Sequence, residues 1–172
     1  QSRYLMEKVA RRLCLDMSYK IRNGLREDEL YTHSPIVVVF PESEERQVIK
    51  TAITPIDSVT VRLSDFVLSV NGEESHFAET VDVHLNDTVS TPIGTVVVTP
   101  TLYYTDTFYD NPIYVTKSNM EKVVEKYLNE INISLASKTA TIINLVLKDV
   151  STARAEDILN MLIAVYNEDV IN

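Results

Sequence analysis

The sequence predicts an α+β protein in which an α/β scaffold, with a mixed sheet and a βαβ unit, carries an inserted antiparallel β module. Two observations lead to this fold class. Apolar residues recur with the helical period of about 3.6 near both ends of the chain, and they alternate with a period of about 2 between residues 32 and 105. We therefore assign residues 1–31 and 106–172 to the scaffold and residues 32–105 to the inserted module.

The first predicted helix covers residues 3–14. Its apolar stripe at spacings of four consists of Leu5, Val9 and Leu13. An alternating strand follows over residues 16–21 and ends at Asn23-Gly24, a dipeptide typical of turns. We expect this helix and strand to complete the sheet of the scaffold.

Five strands are predicted in the inserted module, because its apolar runs are bounded by Pro, Gly, Asn or Asp. They cover residues 35–40, 47–56, 59–70, 77–89 and 94–99. Asn71-Gly72 is the strongest hairpin signal in the chain, and a two-residue turn there places Phe66 opposite Phe77. A further turn is predicted at Thr91-Pro92-Ile93-Gly94.

The third predicted strand contains a change of parity. Its apolar residues are odd-numbered at Val59, Val61 and Leu63 and even-numbered at Phe66, Leu68 and Val70. One extra residue in a strand produces such a change, so a β-bulge is predicted near Ser64-Asp65. With that bulge, Val61 is expected to face Val81, and Val59 is expected to face Val83.

Strand, helix, strand and helix follow one another in the last part of the chain. Residues 112–116 form the first strand, and Ser118-Asn119-Met120-Glu121 matches a capping box at the start of a helix. Residues 142–147 form a buried-type strand, after which Asp149 and Ser151 are candidate N-caps. The last helix presents one apolar side formed by Ala155, Ile158, Leu159, Leu162, Ile163 and Tyr166. This order is a βαβ unit, which predicts a right-handed crossover.

The composition of the 172 residues excludes several classes of function. The closest two of the three glycines, Gly72 and Gly94, are 22 positions apart. A Rossmann fingerprint or a P-loop needs neighbouring glycines, so nucleotide binding through either loop is excluded. The net charge of −9 argues against a nucleic-acid partner. The longest apolar run, residues 35–40, is far shorter than the roughly 20 residues of a membrane helix.

Candidate chemistry is sparse. Asp82, His84 and Asn86 lie on one face of a predicted strand, but a zinc site usually needs three or four ligands of the Cys, His, Asp or Glu type. The solvated face of a half-buried strand explains this pattern, so no metal is expected. Cys14 lies at the end of the first predicted helix, between two leucines, and a small buried residue explains it better than a nucleophile does.

Acidic residues cluster at residues 27–29, 42–45 and 73–74. A glycoside hydrolase needs two carboxylates about 5–10 Å apart across a cleft. These clusters lie at predicted turns without an adjacent apolar pocket, so solvated loops are the favoured interpretation. We therefore expect no catalytic residue and no cofactor.

Tyrosines are concentrated where the β module rejoins the scaffold, at Tyr103, Tyr104, Tyr109 and Tyr114. Aromatic rings offer apolar area at low entropic cost, so these four are candidates for contact with a glycan or with another subunit. The alternative is that they hold the junction of the two regions together. Aromatic residues that stabilise the junction are the simpler interpretation.

The C-terminal third resembles a known family. Residues 142–151, Ile-Ile-Asn-Leu-Val-Leu-Lys-Asp-Val-Ser, are followed by Ala155, by Ile-Leu-Asn at 158–160 and by Tyr166. This pattern is similar to that of Wzz-type polysaccharide co-polymerases and of the outward-facing domains of Wzc-like tyrosine autokinases. The likeness is strong over residues 113–170 and loose elsewhere. Ser151-Thr152 stands where the family often has Pro.

The resemblance implies a Wzz-like scaffold in the periplasm, on the outer face of the bacterial inner membrane. Such proteins form rings of identical subunits and set the chain length of capsular polysaccharide, exopolysaccharide or O-antigen. Implied partners are the polysaccharide polymerase or the growing glycan, with the membrane reached through flanking helices. This region itself is expected not to be an enzyme, although some family members carry a cytoplasmic tyrosine kinase domain.

The ends of the sequence fit this expectation. The chain lacks an initiator methionine and starts almost inside a helical pattern, and its last helical pattern has no Gly or Pro to end it, so we expect a piece of a longer protein. An alternative function is a secreted carbohydrate-binding or adhesin-like β module. A hydrolase that uses the acidic clusters comes third.

Overall fold

The computed structural model describes residues 2–130, 134–135, 143–144 and 151–171, and the α+β class is confirmed. The helices are α1 (Ser2–Arg12), α2 (Met120–Glu130) and α3 (Thr152–Ile171). The strands are β1 (Met17–Asn23), β2 (Arg26–Glu29), β3 (Ile36–Val39), β4 (Val48–Pro55), β5 (Thr60–Val70), β6 (Glu73–Phe77), β7 (Val81–His84), β8 (Thr88–Thr91), β9 (Gly94–Pro100), β10 (Ile113–Lys117), β11 (Ser134–Leu135) and β12 (Ile143–Asn144).

The chain divides into two compact units. The sandwich unit is Met17–Asn119, and the helical unit contains the described residues before and after it. This division differs from the predicted boundaries at 31/32 and 105/106. The reason is that β1 pairs with β10 and β10 pairs with β4, so strands assigned to the scaffold belong to the same sheet as those of the insertion. The Wzz-like character of the scaffold stays a prediction.

Two sheets form the sandwich unit. The large sheet has the order β2-β1-β10-β4-β5-β6, with β7 also paired to β5, and the small sheet has the order β3-β9-β8. Every strand pair of the described residues is antiparallel, so the expected mixed sheet is not found among them. β12, a part of the predicted strand 142–147, pairs with β11, and the rest of that strand lies outside the described residues.

The core of the sandwich unit lies between its two sheets. Alternate residues of β3 and β9 meet alternate residues of β4, β5 and β10, as period-2 patterning requires. The fully buried members of this core include Ile36, Ile49, Ile53, Val61, Leu63, Phe66, Val96, Val98 and Ile113. Tyr19 of β1 adds a polar link, because the backbone N–H of Val38 donates to its hydroxyl over 2.9 Å.

The β5–β6 hairpin confirms the sequence prediction. Phe66 pairs with Phe77, and the turn residues Asn71 and Gly72 both have positive φ, at 53° and 85°. A two-residue turn of this conformation matches the twist of the flanking strands, which explains the choice of Asn-Gly.

The bulge is confirmed, but its predicted partners are wrong. Asp65 has a φ of 53°, and the β4–β5 register shifts at this point. Val61 pairs with Val83 rather than with Val81, which pairs with Leu63. The physical reason is a difference in length between the two paired segments. Three residues, 78–80, separate Phe77 from Val81, whereas two residues, 64 and 65, separate Leu63 from Phe66 on β5. The extra residue shifts the register of β7 in the direction opposite to the predicted shift. Val59 precedes β5 and is 55% exposed.

The predicted strand 77–89 is also wrong, because three strands share this region. β6 ends at Phe77, β7 ends at His84 and β8 begins at Thr88. Asn86 interrupts the extended backbone with a φ of 70°. Asn adopts this left-handed conformation more readily than most residues do, which makes it suitable for the turn between the two sheets.

In the helical unit, α1 contacts both α2 and α3. The shared core consists of Leu5, Met6, Val9, Ala10, Leu15, Met120, Val124, Tyr127, Ile158, Leu162 and Val165. The apolar side predicted for α3 is partly wrong, because Val165 is buried while Ile163 is 46% exposed. Ser151 is an N-cap as predicted, since its hydroxyl accepts the N–H of Arg154.

The first and last strands of the sandwich unit are neighbours in the large sheet. Met17, which begins β1, and Lys117, which ends β10, are register partners.

Among the described residues, no helix combines the length and the apolar character needed to cross a membrane.

Candidate functional site

The four candidate tyrosines lie in three different environments of the sandwich unit. Tyr103 is 44% exposed, and its ring centroid lies 4.9 Å from that of His33. Tyr104 and Tyr109 are half-buried, with ring centroids 6.4 Å apart. Tyr114 belongs to β10 and faces away from the sandwich core. The four residues therefore do not form one aromatic platform.

Tyr104 has a structural role. It packs against the sandwich core, and its hydroxyl donates to the carbonyl of Asp57 over 2.8 Å. Burial, followed by the influence of Tyr109 and Asp57, raises the pKa of Tyr104 to about 12. The phenol is thus neutral at physiological pH. This contact attaches the loop after β9 to the turn before β5, in agreement with a stabilising role for this tyrosine.

Tyr114 owes its position to the alternation of β10. Ile113, Val115 and Lys117 are buried on one side of the strand, which leaves Tyr114 on the other. The guanidinium carbon of Arg22 on β1 lies 3.9 Å from the centre of its ring. This is a cation–π contact on the outer face of the large sheet.

Two open clefts share Arg22 and Tyr114. Cleft A, of about 350 Å³, is lined by Ile21, Arg22, Asn23, Thr107, Phe108, Asn111, Pro112 and Tyr114. Cleft B, of about 400 Å³, is lined by Lys20, Arg22, Glu27, Lys50, Thr51, Ala52, Asp65, Tyr114, Val115 and Thr116. These volumes fall within the range of about 300–1,000 Å³ that is usual for small-molecule sites.

The two clefts differ in chemistry. Cleft A combines apolar side chains with amide and hydroxyl groups, and Arg22 is its one charged lining residue. Cleft B has three cations, Lys20, Arg22 and Lys50, against two carboxylates. Neither lysine forms an ion pair with another described residue, and the contact between Arg22 and Glu27 is long, at 3.9 Å. Cleft B is therefore locally cationic on a chain with a net charge of −9.

The Asp82 strand face does not gather metal ligands. Arg62 donates to both carboxylate oxygens of Asp82, at 2.8 and 3.1 Å, and this contact lowers the pKa of Asp82. Asn86 belongs to the turn after β7. The Nδ1 atom of His84 lies 4.0 Å from the Oδ2 atom of Asp87. Within the described ranges, no group of three or more His, Cys, Asp or Glu residues could hold a metal ion.

The acidic clusters are dispersed. Glu42, Glu44 and Glu45 lie on the exposed loop before β4, whereas Glu73 and Glu74 begin β6. The third cluster lies on β2, where Glu29 accepts hydrogen bonds from the Ser18 hydroxyl and the Tyr19 and Tyr31 amides. The paired carboxylates of a hydrolase are thus not brought together by these residues.

Cys14 lies after α1, in a backbone conformation with a φ of 50°. It is exposed, which corrects the expectation of a buried residue, because the chain turns away from the helix axis here. Desolvation and the nearby Asp16 raise the pKa of its thiol. A raised pKa disfavours the nucleophilic thiolate.

The cationic residues beside Tyr114 are the functional candidates that sequence reasoning missed. Lys20 and Arg22 are two positions apart on a predicted strand, so alternation alone places them on one face. The contribution of Lys50 depends on the pairing of β10 with both β1 and β4, which no local pattern reveals.

Comparison with known proteins assigns no family. The sequence matches no model of a protein family, and it shows no significant match to a curated protein. Its function is therefore argued from the residues and their geometry.

Proposed function

We propose that this chain is the periplasmic domain of an inner-membrane polysaccharide co-polymerase, which regulates the chain length and export of capsular polysaccharide, exopolysaccharide or O-antigen. The domain acts through packing between identical subunits and is not itself an enzyme. Its partners are the polymerase or the growing glycan, and flanking helices connect it to the inner membrane.

The observation that carries this proposal is the packing of the first helix against the last. Arg12 of α1 pairs with Glu168 of α3 over 2.9 Å, and Lys8 lies 3.7 Å from Asp169. These contacts join the C-terminal halves of the two helices, and this pairing supports flanking segments that lead to one membrane. The segment with the family resemblance supplies α3, whose Ile158 and Leu162 are buried in this helical unit.

The clefts beside Tyr114 give secondary support. A regulator of glycan length needs a surface that can touch polysaccharide, and sugar sites combine an aromatic ring with polar groups. Cleft A supplies this combination through Tyr114, Asn23 and Asn111.

A second candidate, a secreted carbohydrate-binding or adhesin-like module, takes support from the same clefts and from the two-sheet architecture. The two candidate functions require different genomic sequences on either side of this chain. A co-polymerase requires a hydrophobic segment of about 20 residues on each side. A secreted module requires a signal peptide and no such pair.

The length distribution of the surface polysaccharide tests the proposal. A strain of the source bacterium without the gene is compared with the same strain complemented by the full-length gene, and the extracted polysaccharide is separated by gel electrophoresis. We expect loss of the polysaccharide or a changed length distribution in the deletion strain, restored by complementation. Polysaccharide of unchanged amount and length in the deletion strain would contradict the proposal.

A further inference from the structure

Tyr114 is the centre of a row of side chains that crosses three strands. Lys20 of β1 pairs with Tyr114, which pairs with Ala52 of β4. In the next row, Thr116 pairs with Lys50. All these residues share the outer face of the large sheet, because register partners point to the same side.

The spacing of the cations suits an extended ligand. Strands lie about 4.8 Å apart and alternate residues about 6.8 Å apart, which separates the α-carbons of Lys20 and Lys50 by about 12 Å. Ala52, the smallest side chain of the row, lines cleft B together with Lys50 and Tyr114. Lysine side chains that start from α-carbons at this separation can reach anionic groups on different units of a polymer.

The charged side chains on the outer face of the large sheet favour an anionic ligand. The chain carries a net charge of −9, so its surface as a whole repels anions. Cleft B has three cations and two carboxylates, and Lys20 and Lys50 are without an ion-pair partner in the part of the chain that the structure describes. An anionic ligand therefore gains attraction here that most of the surface does not offer.

Cleft A extends the site beyond the charged groups. Phe108, Pro112 and Ile21 provide apolar contact area. Asn23 donates its Nδ2 to Asp28 and Thr107 shares a hydrogen bond with Thr105, so the Asn23 Oδ1 and the second lone pair of the Thr107 hydroxyl are the groups that can accept from a sugar hydroxyl. Arg22 and Tyr114 belong to both clefts. A chain of sugars can thus place one unit against the face of the Tyr114 ring that Arg22 leaves open and a neighbouring unit in the other cleft.

We propose that clefts A and B bind a segment of an anionic polysaccharide, with a sugar ring against Tyr114 and carboxylate groups at Lys20 and Lys50. This inference rests on the proposed function for the origin of the glycan, and it names the chemical class: a linear chain that contains uronic acids. Neutral glycans lack the groups that Lys20 and Lys50 recognise.

Titration calorimetry of the 172-residue chain tests the inference. The probes are hexagalacturonate, neutral maltohexaose, inorganic phosphate and the polysaccharide extracted from the source bacterium. We expect hexagalacturonate to bind, with an affinity that falls as salt is added, because exposed charges are screened. Maltohexaose should bind at least about tenfold more weakly, since it forms no charge-assisted hydrogen bonds.

Two double variants of equal charge separate the site from general electrostatics. Lys20→Gln with Lys50→Gln should weaken hexagalacturonate binding at least about tenfold, because both charge-assisted contacts are lost. Lys122→Gln with Lys126→Gln, on the exposed side of α2, should leave it within about twofold. Tyr114→Thr, which retains a strand-forming residue, should weaken binding while the melting temperature shows that the fold is retained.

Three outcomes would overturn the inference. They are equal binding of maltohexaose, full competition by phosphate at the same concentration, and absence of binding to both hexagalacturonate and the extracted polysaccharide. Failure of this inference can be distinguished from failure of the proposed function. A deletion strain with altered polysaccharide length, together with no binding here, removes this inference alone. Binding without any effect on length removes the co-polymerase function instead.

Discussion

The two units are stabilised in different ways. In the sandwich unit, neighbouring strands such as β5 and β6 are joined by short turns, so many of its contacts are local in sequence. In the helical unit, α1 contacts helices that follow it by more than 100 residues. Closing long loops costs conformational entropy before any contact forms. The helical unit therefore depends more strongly on a few buried side chains.

The size of the cores sharpens the contrast. The sandwich core draws on inward residues of two sheets and contains Phe66, whereas the helical core draws on single stripes of three helices. A helix as short as α1, with 11 residues, is marginal by itself in water. Tertiary contacts of residues such as Met6 and Val9 must supply its stability.

The largest expected effect concerns the sandwich core. Phe66 is 1% exposed, and Phe66→Ala should reduce the free energy of unfolding by about 3–5 kcal/mol, because it removes a large buried ring and leaves a cavity. Urea unfolding followed by circular dichroism measures this change. Val70→Ala, at an exposed position of the same strand, is the control. A loss below about 1 kcal/mol for Phe66→Ala would contradict the assigned core.

The helical unit is tested at α1. Met6 is fully buried, and Met6→Ala should destabilise by about 2–5 kcal/mol. We expect the helical unit of this variant to unfold before the sandwich unit, because few buried apolar residues of α1 are left to hold it together. This unfolding should be visible as a separate transition at low urea concentration. Val170→Ala on the exposed side of α3 should have little effect. A single transition shared with the sandwich would show that the two units unfold together.

A smaller effect is expected at Lys117, whose ammonium group is buried. Its Nζ donates to the carbonyls of Glu44, Glu45 and Gln47, at 2.6, 3.1 and 2.7 Å. Lys117→Met keeps the length of the side chain but removes these donors, so we expect a loss of about 1.5–3 kcal/mol and faster amide exchange in the loop before β4. Lys50→Met, at an exposed position of the same sheet, should change stability little. Equal effects of both variants would contradict this role of Lys117.

The smallest expected effect concerns Tyr104. Tyr104→Phe removes the hydrogen bond to Asp57, which should reduce stability by about 0.5–1.5 kcal/mol at neutral pH. The pKa of about 12 in the folded state exceeds the value of about 10 for an unfolded chain. The contribution of this phenol is therefore complete below pH 10 and is lost as the pH rises toward 12.

Melting temperatures at increasing alkaline pH measure this contribution. Tyr104→Phe should show a shallower alkaline decline than the parent chain, while Tyr103→Phe should follow the parent. If the decline of Tyr104→Phe equals that of the parent, the raised pKa of Tyr104 does not contribute to alkaline unfolding.

Local patterns were sufficient for part of the fold. The Asn71-Gly72 turn and the parity change at Asp65 depend on neighbouring residues, and both are found where the sequence predicts them. The partner of Val61 is different, because it depends on residues 78–80 of the opposing chain. The boundaries between the two units do not coincide with the change in the spacing of apolar residues from about 3.6 to about 2. The reason is similar, because long-range pairing joins β1 to β10.

The candidate site shows the same limit. Tyr114 was predicted as one of four tyrosines, although composition could not separate it from Tyr104, which stabilises a loop. The two tyrosines differ in their surroundings. The Arg22 guanidinium lies over the ring of Tyr114, whereas the hydroxyl of Tyr104 donates to a backbone carbonyl. Such environments arise only when distant strands come together.

The pairing of Met17 with Lys117 has a consequence for the engineering of this protein. Register partners in an antiparallel sheet have α-carbons about 4.5–5.5 Å apart. The whole sandwich unit therefore enters and leaves at adjacent points, and a short turn could span the same gap. A variant in which such a turn replaces the sandwich unit would leave the sequence of the three helices unchanged.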